Sequence, residues 1–518
     1  MAASEGVPFS KTGGLADVVG ALPAALTANG VEVAVVLPRY KETKLQKLKT
    51  VIPSLTIPLG DGLHFPSVVE EGASDSVRWF FVDYPAYFDR DSLYVVPGGT
   101  DYADNPERFA LFSRAVIEIA KSIFQPDLIH CHDWQAGLVP VLLKSVYVTD
   151  PAVTRIPTII TVHNLGYQGQ FPYDALHRAG LPLDLFRMER LEFYLKVNFL
   201  KGALIDSDAI TTVSRKYSQE IQTPEYGFGL DGVLRDRTDR ITGILNGVDY
   251  KHWDPSLDAN LAVRYSASNL EGKKACKKDL LRQFGLSDDD LTSPVVGIVS
   301  RFAAQKGFDL IAEIAERMIG ENVRLVVLGN GEAKYEKLFL NLAARYKNKV
   351  GVRVAYDDAL AHKIEGGADM FLMPSRYEPC GLNQIYSLRY GTVPIVRATG
   401  GLDDTIEDYH PSTGAGTGFK FSGFTGAELL ETVLRALSVY ANEAEWKKLM
   451  RNGMSKDFSW NASAREYARL YAKVVAGAGA ARPSEGGSDK APGGSPPRAK
   501  PAARKAPARK AASAKKKA

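Results

Sequence analysis

Short apolar runs alternate with segments of helical periodicity along most of this chain. Residues 370–373 and residues 392–396 are apolar runs of strand length, and between them leucine, isoleucine and tyrosine side chains recur at roughly helical spacing. The order strand, loop, helix, strand predicts one βαβ crossover of a parallel sheet. The loop before its helix would lie outside the carboxyl end of a strand, where parallel sheets bind ligands.

The same alternation continues on both sides of this segment. Apolar residues on one face predict a helix that begins at a glycine pair, Gly13 and Gly14. Runs of strand length predict further strands at residues 31–37, 128–132 and 295–299, and within the sequences RLVVLGNGE and VRVAYDD. Residues 209–214 and 241–248 are expected to close the first domain. The chain is therefore expected to be of the α/β class.

Two sets of βα units meet near residue 250, which predicts two domains, residues 1–249 and residues 250–456. A chain of 518 residues is long enough for two domains of ordinary size. Residues 457–480 are expected to form a C-terminal helix that packs back on the first domain. Residues 2–5 leave only a stub where a first parallel strand is expected, so we expect the translation start to lie upstream of Met1.

The composition favours a protein that folds in a reducing, aqueous compartment. Hydrophobic residues make up 45% of the chain and charged residues 24%, and no run of 18 apolar residues or basic-then-apolar leader occurs. The three cysteines form no CxxC pair, which argues against a disulfide framework and against a cysteine zinc site. We expect a cytoplasmic protein that does not enter a membrane.

The net charge of +4 hides a division of the chain into a body and a tail. Residues 481–518 contain 11 lysines and arginines against 2 acidic residues, which leaves 53 basic and 58 acidic residues in the body. The tail has almost no large apolar side chains, so we expect it to be disordered. It could bind polyanions such as nucleic acid weakly, or it could be a solvated extension without a partner.

The loop of the βαβ crossover carries Glu378, Cys380 and Gly381 just before a predicted helix. A helix N-terminus offers unpaired N–H groups, and glycine lets a ligand approach the backbone closely. A carboxylate accepts hydrogen bonds from hydroxyls, which favours a polyhydroxylated substrate over a bare anion. The alternative is structural, with Glu378 as a helix cap and Cys380 as a small buried residue.

Lys11 precedes the glycine pair at the start of the first helix, and Asp17 lies in that helix's first turn. A glycine pair at a helix N-terminus and one ammonium group can hold a phosphate or diphosphate. A plain loop with a surface lysine is the alternative. The GxxxxGK[ST] and GxGxxG spacings are both missing, which argues against kinases, ATPases and dehydrogenases.

Three histidines follow predicted strands of the first domain. His130 and His132 share one strand face but have no nearby third ligand, so a polar substrate wall or a packed core is favoured over a metal site. His163 and Asn164 follow a β-branched run, at the carboxyl end of a strand. Their position favours a role in the site, and we expect no metal.

Arg301 and Lys306 lie on one loop after the strand at residues 295–299. A guanidinium and an ammonium group on one loop can neutralise a diphosphate leaving group. Two solvated surface cations are the alternative.

Taken together, the motifs KTGGL, HDW, RxxxQKG and EPCGL resemble those of the bacterial glycogen synthase and plant starch synthase family. The resemblance covers roughly residues 5–475. Many broader relatives have a second glutamate eight positions after the first, whereas this chain has Tyr386 there, which fits the glycogen synthase branch.

The resemblance implies a GT-B fold, with two facing Rossmann-like domains and the active site in the cleft between them. It also implies retaining transfer of glucose from ADP-glucose to an α-1,4-glucan such as glycogen, without a cofactor or a metal. The residues that it implies in catalysis are His163, Arg301, Lys306 and Glu378. Those that it implies in substrate binding are Lys11, Gly13, Gly14, Asp17, His132, Trp134, Asn164, Asn246, Gln305, Tyr356, Cys380, Gly381, Leu382, Thr399 and Gly400.

Two alternatives stay open at this point. A glucan phosphorylase-like enzyme of the same fold would carry pyridoxal phosphate on a lysine. A nucleic-acid-binding protein would act through the basic tail.

Overall fold

A computed structural model describes residues 1–45, 47–74, 77–96 and 99–480 of the chain. The predicted basic tail at residues 481–518 lies outside the described residues. Among those described, no helix is both long and apolar enough to cross a membrane.

The first domain has two four-stranded groups with helices on both sides, together with a three-stranded and a two-stranded antiparallel sheet. Its strands are β1 (Val33–Pro38), β2 (Leu48–Ile52), β3 (Ile57–Leu59), β4 (Gly62–His64), β5 (Ser67–Ser74), β6 (Val77–Asp83), β7 (Ile129–His132), β8 (Thr158–Val162), β9 (Gln170–Phe171), β10 (Glu192–Phe193), β11 (Lys196–Asn198), β12 (Ala209–Thr212) and β13 (Ile241–Gly243). Its helices are α1 (Gly14–Thr27), α2 (Pro85–Phe88), α3 (Asn105–Ser122), α4 (Leu138–Leu143), α5 (Ala175–Arg178), α6 (Phe199–Asp206), α7 (Arg215–Glu220) and α8 (Asp231–Arg235). Short 3₁₀ turns lie at Trp134–Ala136, Leu183–Leu185 and Thr238–Arg240.

The stub at the N-terminus completes the first sheet. The strand orders β13-β12-β8-β7 and β1-β6-β5-β2 are joined by Ala2, which forms parallel bridges to both Cys131 in β7 and Val36 in β1. The order of the strands reverses at this stub, which makes it a topological switch point. The loop after the stub and the loop after β7 lie on either side of that point. The strands from β13 to β6 run parallel, and valine and isoleucine fill those that are buried on both faces.

The second domain has one six-stranded parallel sheet with the order β16-β15-β14-β17-β18-β19. Its switch point lies between the first and fourth strands in sequence, which is the doubly wound arrangement. The strands are β14 (Val295–Val299), β15 (Arg324–Gly329), β16 (Val350–Val354), β17 (Met370–Met373), β18 (Val393–Arg397) and β19 (Phe419–Phe421). The helices are α9 (Glu271–Gln283), α10 (Phe308–Gly320), α11 (Ala333–Arg345), α12 (Asp358–Gly367), α13 (Asn383–Tyr390), α14 (Gly400–Thr405), α15 (Gly426–Tyr440) and α16 (Glu443–Met454), with a 3₁₀ turn at Ala304–Lys306.

The last helix, α17 (Trp460–Ala480), returns to the first domain. Trp460, Ala464 and Tyr467 are buried in one apolar cluster with the inner face of α1 and with β1. The chain thus crosses between the domains twice, near residue 250 and again just before α17.

Only the start of the segment at residues 241–248, which was expected to close the first domain, is a strand. β13 ends at Gly243, where the backbone of Ser214 and Arg215 leaves no room for a side chain. The rest of the segment turns away from the sheet, and Val248 forms a bridge with Ser459 beside α17. The apolar residues after β13 are buried where the two domains join, and not within the sheet.

Candidate active site

A cavity of about 2300 Å³ lies between the two domains, at the carboxyl ends of the central strands of both sheets. Residues from both domains form its wall. Of the residues expected from the sequence, those that line it are Lys11, Gly13, Gly14, Asp17, Trp134, His163, Asn164, Asn246, Arg301, Gln305, Lys306, Tyr356, Glu378, Cys380, Gly381 and Leu382.

An ion pair between Lys306 and Glu378 lies at the centre of the second-domain wall. The Lys306 Nζ atom donates to Glu378 Oε2 over 2.7 Å, and the Ser375 hydroxyl donates to the same oxygen over 3.0 Å. Both charged side chains are largely buried. Glu378 is therefore not a helix cap, and Lys306 is not a freely solvated surface cation.

The loop that follows β14 is held close to the loop that follows β17. Gly307 has a φ of 74°, and a side chain at this position would collide with the carbonyl oxygen of Pro374. The backbone N–H of Arg376 donates to Gln305 over 2.8 Å, and the Gln305 amide donates to Tyr377 over 3.1 Å. These bonds fix Lys306 opposite Glu378 and leave the Arg301 side chain exposed in the cavity wall.

The N-terminus of α13 faces the cavity without a side-chain cap. Gly381 has a φ of 69°, a conformation that favours glycine. The unpaired N–H groups of this first turn can therefore meet an electron-rich ligand. Cys380 beside them is buried in the apolar core of the first domain, so this loop contacts both domains.

The first-domain loop places Lys11 and Asp17 on the opposite wall. Their side chains form an ion pair of 2.7 Å, with about 43% of the lysine and 34% of the aspartate exposed. Burial favours a lower pKa for Lys11, but the hydrogen bond and the charge of Asp17 outweigh it, so the pKa is raised. Lys11 is thus a charged group in a half-open position.

Glu5 holds this loop through hydrogen bonds to Thr12, a contact that was not predicted from the sequence. Its carboxylate accepts hydrogen bonds from the Thr12 backbone N–H and, over 3.1 Å, from the Thr12 hydroxyl. Burial raises the pKa of Glu5 to about 7, although the bonds from Thr12 and Gly13 work against the shift. The stub that holds Glu5 is too short to show a periodic pattern, so only the tertiary structure reveals the contact.

The three histidines form one buried row behind the cavity. His130 bonds to the hydroxyls of Tyr471 over 2.6 Å and Thr161 over 2.5 Å, and its ring lies 4.2 Å from that of His132. His132 Nδ1 lies 3.0 Å from His163 Nε2. His132 itself is fully buried and only His163 reaches the cavity wall. Burial lowers the pKa of His163 to about 3, so its imidazole is neutral at pH 7.

Asp133 anchors the His163 segment. Its backbone is in a left-handed conformation with a φ of 53°, and its carboxylate accepts the His163 backbone N–H over 2.7 Å. Burial raises the pKa of this carboxyl to about 7, against the two backbone bonds that it receives.

Thr399 and Gly400 bond to the first domain and are not among the described residues that line the cavity. The Thr399 hydroxyl donates to Glu220 over 3.0 Å, and the Gly400 N–H lies 3.1 Å from both oxygens of the same carboxylate. Nearby, the Ser214 hydroxyl donates to the Pro379 carbonyl over 2.6 Å. In this structure these residues join the domains at the edge of the cleft.

An aromatic stack on the cavity wall was also missed from the sequence. Trp253 lies between Tyr386 and His362, with ring centroids 3.8 Å and 3.7 Å away and nearly parallel planes. Tyr386 lies eight positions after Glu378 in the sequence. Trp253 comes from the segment between the domains, whose irregular structure gave no periodic signal.

Two doubly wound domains that face each other across a cleft, with cations and a carboxylate on its walls, define a glycosyltransferase of the GT-B class. The family described as the starch synthase catalytic domain matches residues 1–236, and the family described as glycosyl transferases group 1 matches residues 283–452. The chain is 60% identical over 473 residues to the glycogen synthase of Koribacter versatilis, covering 91% of this chain and 97% of the relative. The chain therefore belongs to the glycogen synthase and starch synthase family.

Other comparisons agree with this assignment. The glycogen synthase of Myxococcus xanthus is 48% identical over 477 residues, covering 91% of this chain and 98% of the relative. A solved catalytic domain of starch synthase IV from Arabidopsis thaliana, bound to ADP and acarbose, matches with a TM-score of 0.83 and 33% identity over 92% of this chain and 98% of that one. The predicted family and the GT-B fold are confirmed, and the enzyme is a glycosyltransferase that acts as a glycogen synthase.

Proposed function

We propose that the cavity binds ADP-glucose and a glucan chain, and that glucose passes to the 4-hydroxyl at the non-reducing end of an α-1,4-glucan with retention and release of ADP. The observation that carries this proposal is the convergence of Lys306, Glu378 and Lys11 from two domains on one cavity. The similar starch synthase IV is described with ADP and acarbose, a nucleotide and a sugar analogue, which fits the two ligands proposed here.

The cations of the site would stabilise the departing diphosphate. As the bond from the glucose anomeric carbon to the phosphate oxygen breaks, negative charge grows on ADP, and fixed cations lower the energy of that state without reorganising. Lys306 and Arg301 supply this charge from the second domain. Lys11 supplies it from the first domain, and the free N–H groups of α13 add a weaker contribution.

Glu378 would bind sugar hydroxyls. Its Oε2 atom is already occupied by Lys306 and Ser375, so the carboxylate is held rigidly and its second oxygen is the one left to accept a hydroxyl. We assign no nucleophile to the site. The expected course is a front-face substitution, in which the leaving phosphate takes the proton of the acceptor hydroxyl as the new bond forms.

His163 would act through a hydrogen bond. Because its pKa is about 3, the neutral imidazole cannot supply a positive charge at pH 7, and His132 holds its ring from behind. His163 is therefore proposed to orient the glucosyl group, with Asn164 beside it. Trp134, Asn246, Gln305 and Tyr356 are proposed to shape the binding of the donor and the acceptor.

The experiment that tests this function compares two donors. Purified protein is incubated with glycogen and with radiolabelled ADP-glucose or UDP-glucose, and label in the polymer is counted. We expect incorporation from ADP-glucose, at a higher kcat/KM than from UDP-glucose, and release of the label by an exo-acting enzyme specific for α-1,4 linkages. No incorporation from either donor, or a clear preference for UDP-glucose, would contradict the proposal.

We also propose that the protein works in a reducing compartment. The three buried cysteines are free thiols, which supports a reducing compartment such as the cytoplasm.

The tail at residues 481–518 is proposed to be dispensable for glucosyl transfer and to bind polyanions weakly. A chain that ends at Ala480 should keep its activity on glycogen, and DNA binding by the intact chain should weaken with added salt and be lost with the tail. Loss of transfer in the folded, shortened chain would contradict this.

A further inference from the structure

Three side chains that the proposed reaction does not use meet on the wall of the cleft. His252 lies in the segment between the domains, and Asp358 and His362 lie in the first two turns of α12. Asp358 Oδ2 is 3.8 Å from His252 Nε2 and 3.8 Å from His362 Nε2. The ligand atoms of all three residues lie within 4.8 Å of one another.

His362 is fully buried, and its ring is held in one orientation. The Trp253 ring stacks on it at 3.7 Å, with the planes inclined by 8°. On the other side, its Nδ1 atom lies 2.7 Å from Asp258 Oδ2, which also accepts the hydroxyl of Tyr390. These contacts leave little freedom for the imidazole to rotate.

The second nitrogen of this ring has no hydrogen-bond partner among the residues that the structure describes. His362 Nε2 is buried and unpaired, which is costly for a polar atom unless something binds it. Nδ1 of His362 faces the Asp258 carboxylate, and Nε2 faces the Asp358 carboxylate from the other edge of the ring. A proton does not bridge Nε2 and Asp358, because 3.8 Å exceeds the length of a hydrogen bond.

A bound cation satisfies all of these atoms. We propose that His252, Asp358 and His362 form a site for a divalent transition metal ion of the Zn²⁺ type. Two imidazoles and one carboxylate are ligands that such ions prefer, and an imidazole that ligates a metal usually has its other nitrogen beside a carboxylate, as His362 has Asp258.

Metal binding would draw the three side chains closer together. Tetrahedral zinc with bonds of about 2.0–2.1 Å holds its ligand atoms about 3.4 Å apart, whereas these atoms lie 3.8 Å apart in two pairs and within 4.8 Å overall. His252 is about 61% exposed and Asp358 about 55% exposed, so both can move towards the rigid His362. Three protein ligands leave one position of the metal for water.

The metal site would link the crossing between the domains to the start of α12. His252 belongs to the crossing between the domains, whereas Asp358 begins the helix that follows Tyr356 on the cavity wall. A bound ion would therefore fix the Tyr356 segment against the crossing. None of the residues proposed to act on ADP-glucose is a ligand, so metal binding does not depend on the proposed function.

Titration of the full-length protein with Co²⁺ tests the proposal. The protein is first dialysed against a chelator, binding is followed through the visible absorption bands of Co²⁺, and Zn²⁺ is then added as a competitor. We expect one equivalent of Co²⁺ to bind saturably and to be displaced by Zn²⁺. The variants His252→Ala and Asp358→Asn should each weaken binding at least tenfold, and because both side chains are exposed, neither should unfold the protein.

His410→Ala is the matched control, since it removes an exposed histidine of the second domain that lies outside the cluster. It should bind Co²⁺ like the unaltered protein. The proposal is overturned if the unaltered protein shows no saturable Co²⁺ band, or if either cluster variant binds as tightly as the control.

Discussion

At the residue scale, the centre of the site is the ion pair between Lys306 and Glu378. The sequence predicts both residues, because each follows a strand of a parallel sheet and the carboxyl ends of such strands meet at one edge. It does not predict that they bond to each other, since 72 positions separate them. Glu5 and His362 were missed for the same reason, because their surroundings are assembled from distant parts of the chain.

Lys306→Ala and Arg301→Ala should each lower kcat/KM for ADP-glucose at least about tenfold. Each variant removes one charge-assisted contact to the leaving diphosphate. Steady-state kinetics with glycogen as the acceptor measure the effect, and Lys347→Ala, an exposed lysine of the same domain, should behave like the unaltered enzyme. Near-normal kinetics in both site variants would remove the proposed role of this loop.

Glu365 gives a prediction about stability and pH. It is 1% exposed, and burial raises its pKa to about 8, against the opposing effects of Ser387 and Lys273. A carboxyl whose pKa is raised by folding binds its proton more tightly in the folded state. The resulting stabilisation of the folded protein is complete below pH 4.5 and is lost as the pH rises to about 8. At pH 9 the buried carboxylate carries a charge that costs free energy, and Lys273, whose pKa burial lowers to about 8, offsets little of it.

Glu365→Gln should therefore raise Tm at pH 9 and change it much less at pH 5. The amide oxygen can still accept the hydroxyl of Ser387, which lies 2.7 Å from the carboxylate. Thermal unfolding followed by circular dichroism at both pH values measures the difference, with Glu431→Gln on the outside of α15 as the control. An equal shift of Tm at both pH values would show that burial of the charge is not the cause.

At the element scale, apolar periodicity predicts the regular parts of the fold and fails where the chain joins the domains. The crossover around α13 and the strand β14 appear at or within one residue of the expected positions, because both are buried parallel-sheet elements with a strong pattern. The segment at residues 241–248 also carries several apolar residues but leaves the sheet after β13. An apolar run in the sequence predicts that a segment is buried, but it does not show whether the segment is a strand or a connection between domains.

Gly307→Ala should lower both Tm and kcat/KM. The residue links the loop of Lys306 to α10 with a φ of 74°, and a methyl group there would collide with the carbonyl of Pro374. The loop would have to shift away from Glu378, so we expect a loss of several degrees in Tm and at least tenfold in kcat/KM. Gly320→Ala at the far end of α10 has open space around it and should leave both values close to normal. If Gly307→Ala behaved like Gly320→Ala, the close packing of the two loops would not matter for catalysis.

At the scale of the whole molecule, polar contacts join the two domains beside the cleft. Glu220 bonds to Thr399 and Gly400, and Ser214 bonds to Pro379, so these second-domain loops are attached to the first domain. Such contacts can break and form again as a cleft opens and closes. The prediction from sequence gave the two domains and their order, but not these contacts, which depend on how the domains are oriented.

Saturating ADP should make the molecule more compact, because its diphosphate would draw Lys11 and Lys306 together from opposite domains. Small-angle X-ray scattering with and without ADP measures the radius of gyration, and AMP, which lacks the second phosphate, serves as the control. An unchanged radius of gyration at saturating ADP would count against closure.

The central claim is that one donor site is assembled from both domains, and the kinetics of Lys11→Ala test it most directly. Lys11 lies in the first domain, far in sequence from Lys306, and its only ion-pair partner among the described residues is Asp17. The account predicts that kcat/KM for ADP-glucose falls at least about tenfold in Lys11→Ala, as it does in Lys306→Ala, with glycogen as the acceptor and thermal unfolding unchanged. A folded Lys11→Ala enzyme with normal kcat/KM would show that the donor is bound by the second domain alone and would contradict the account.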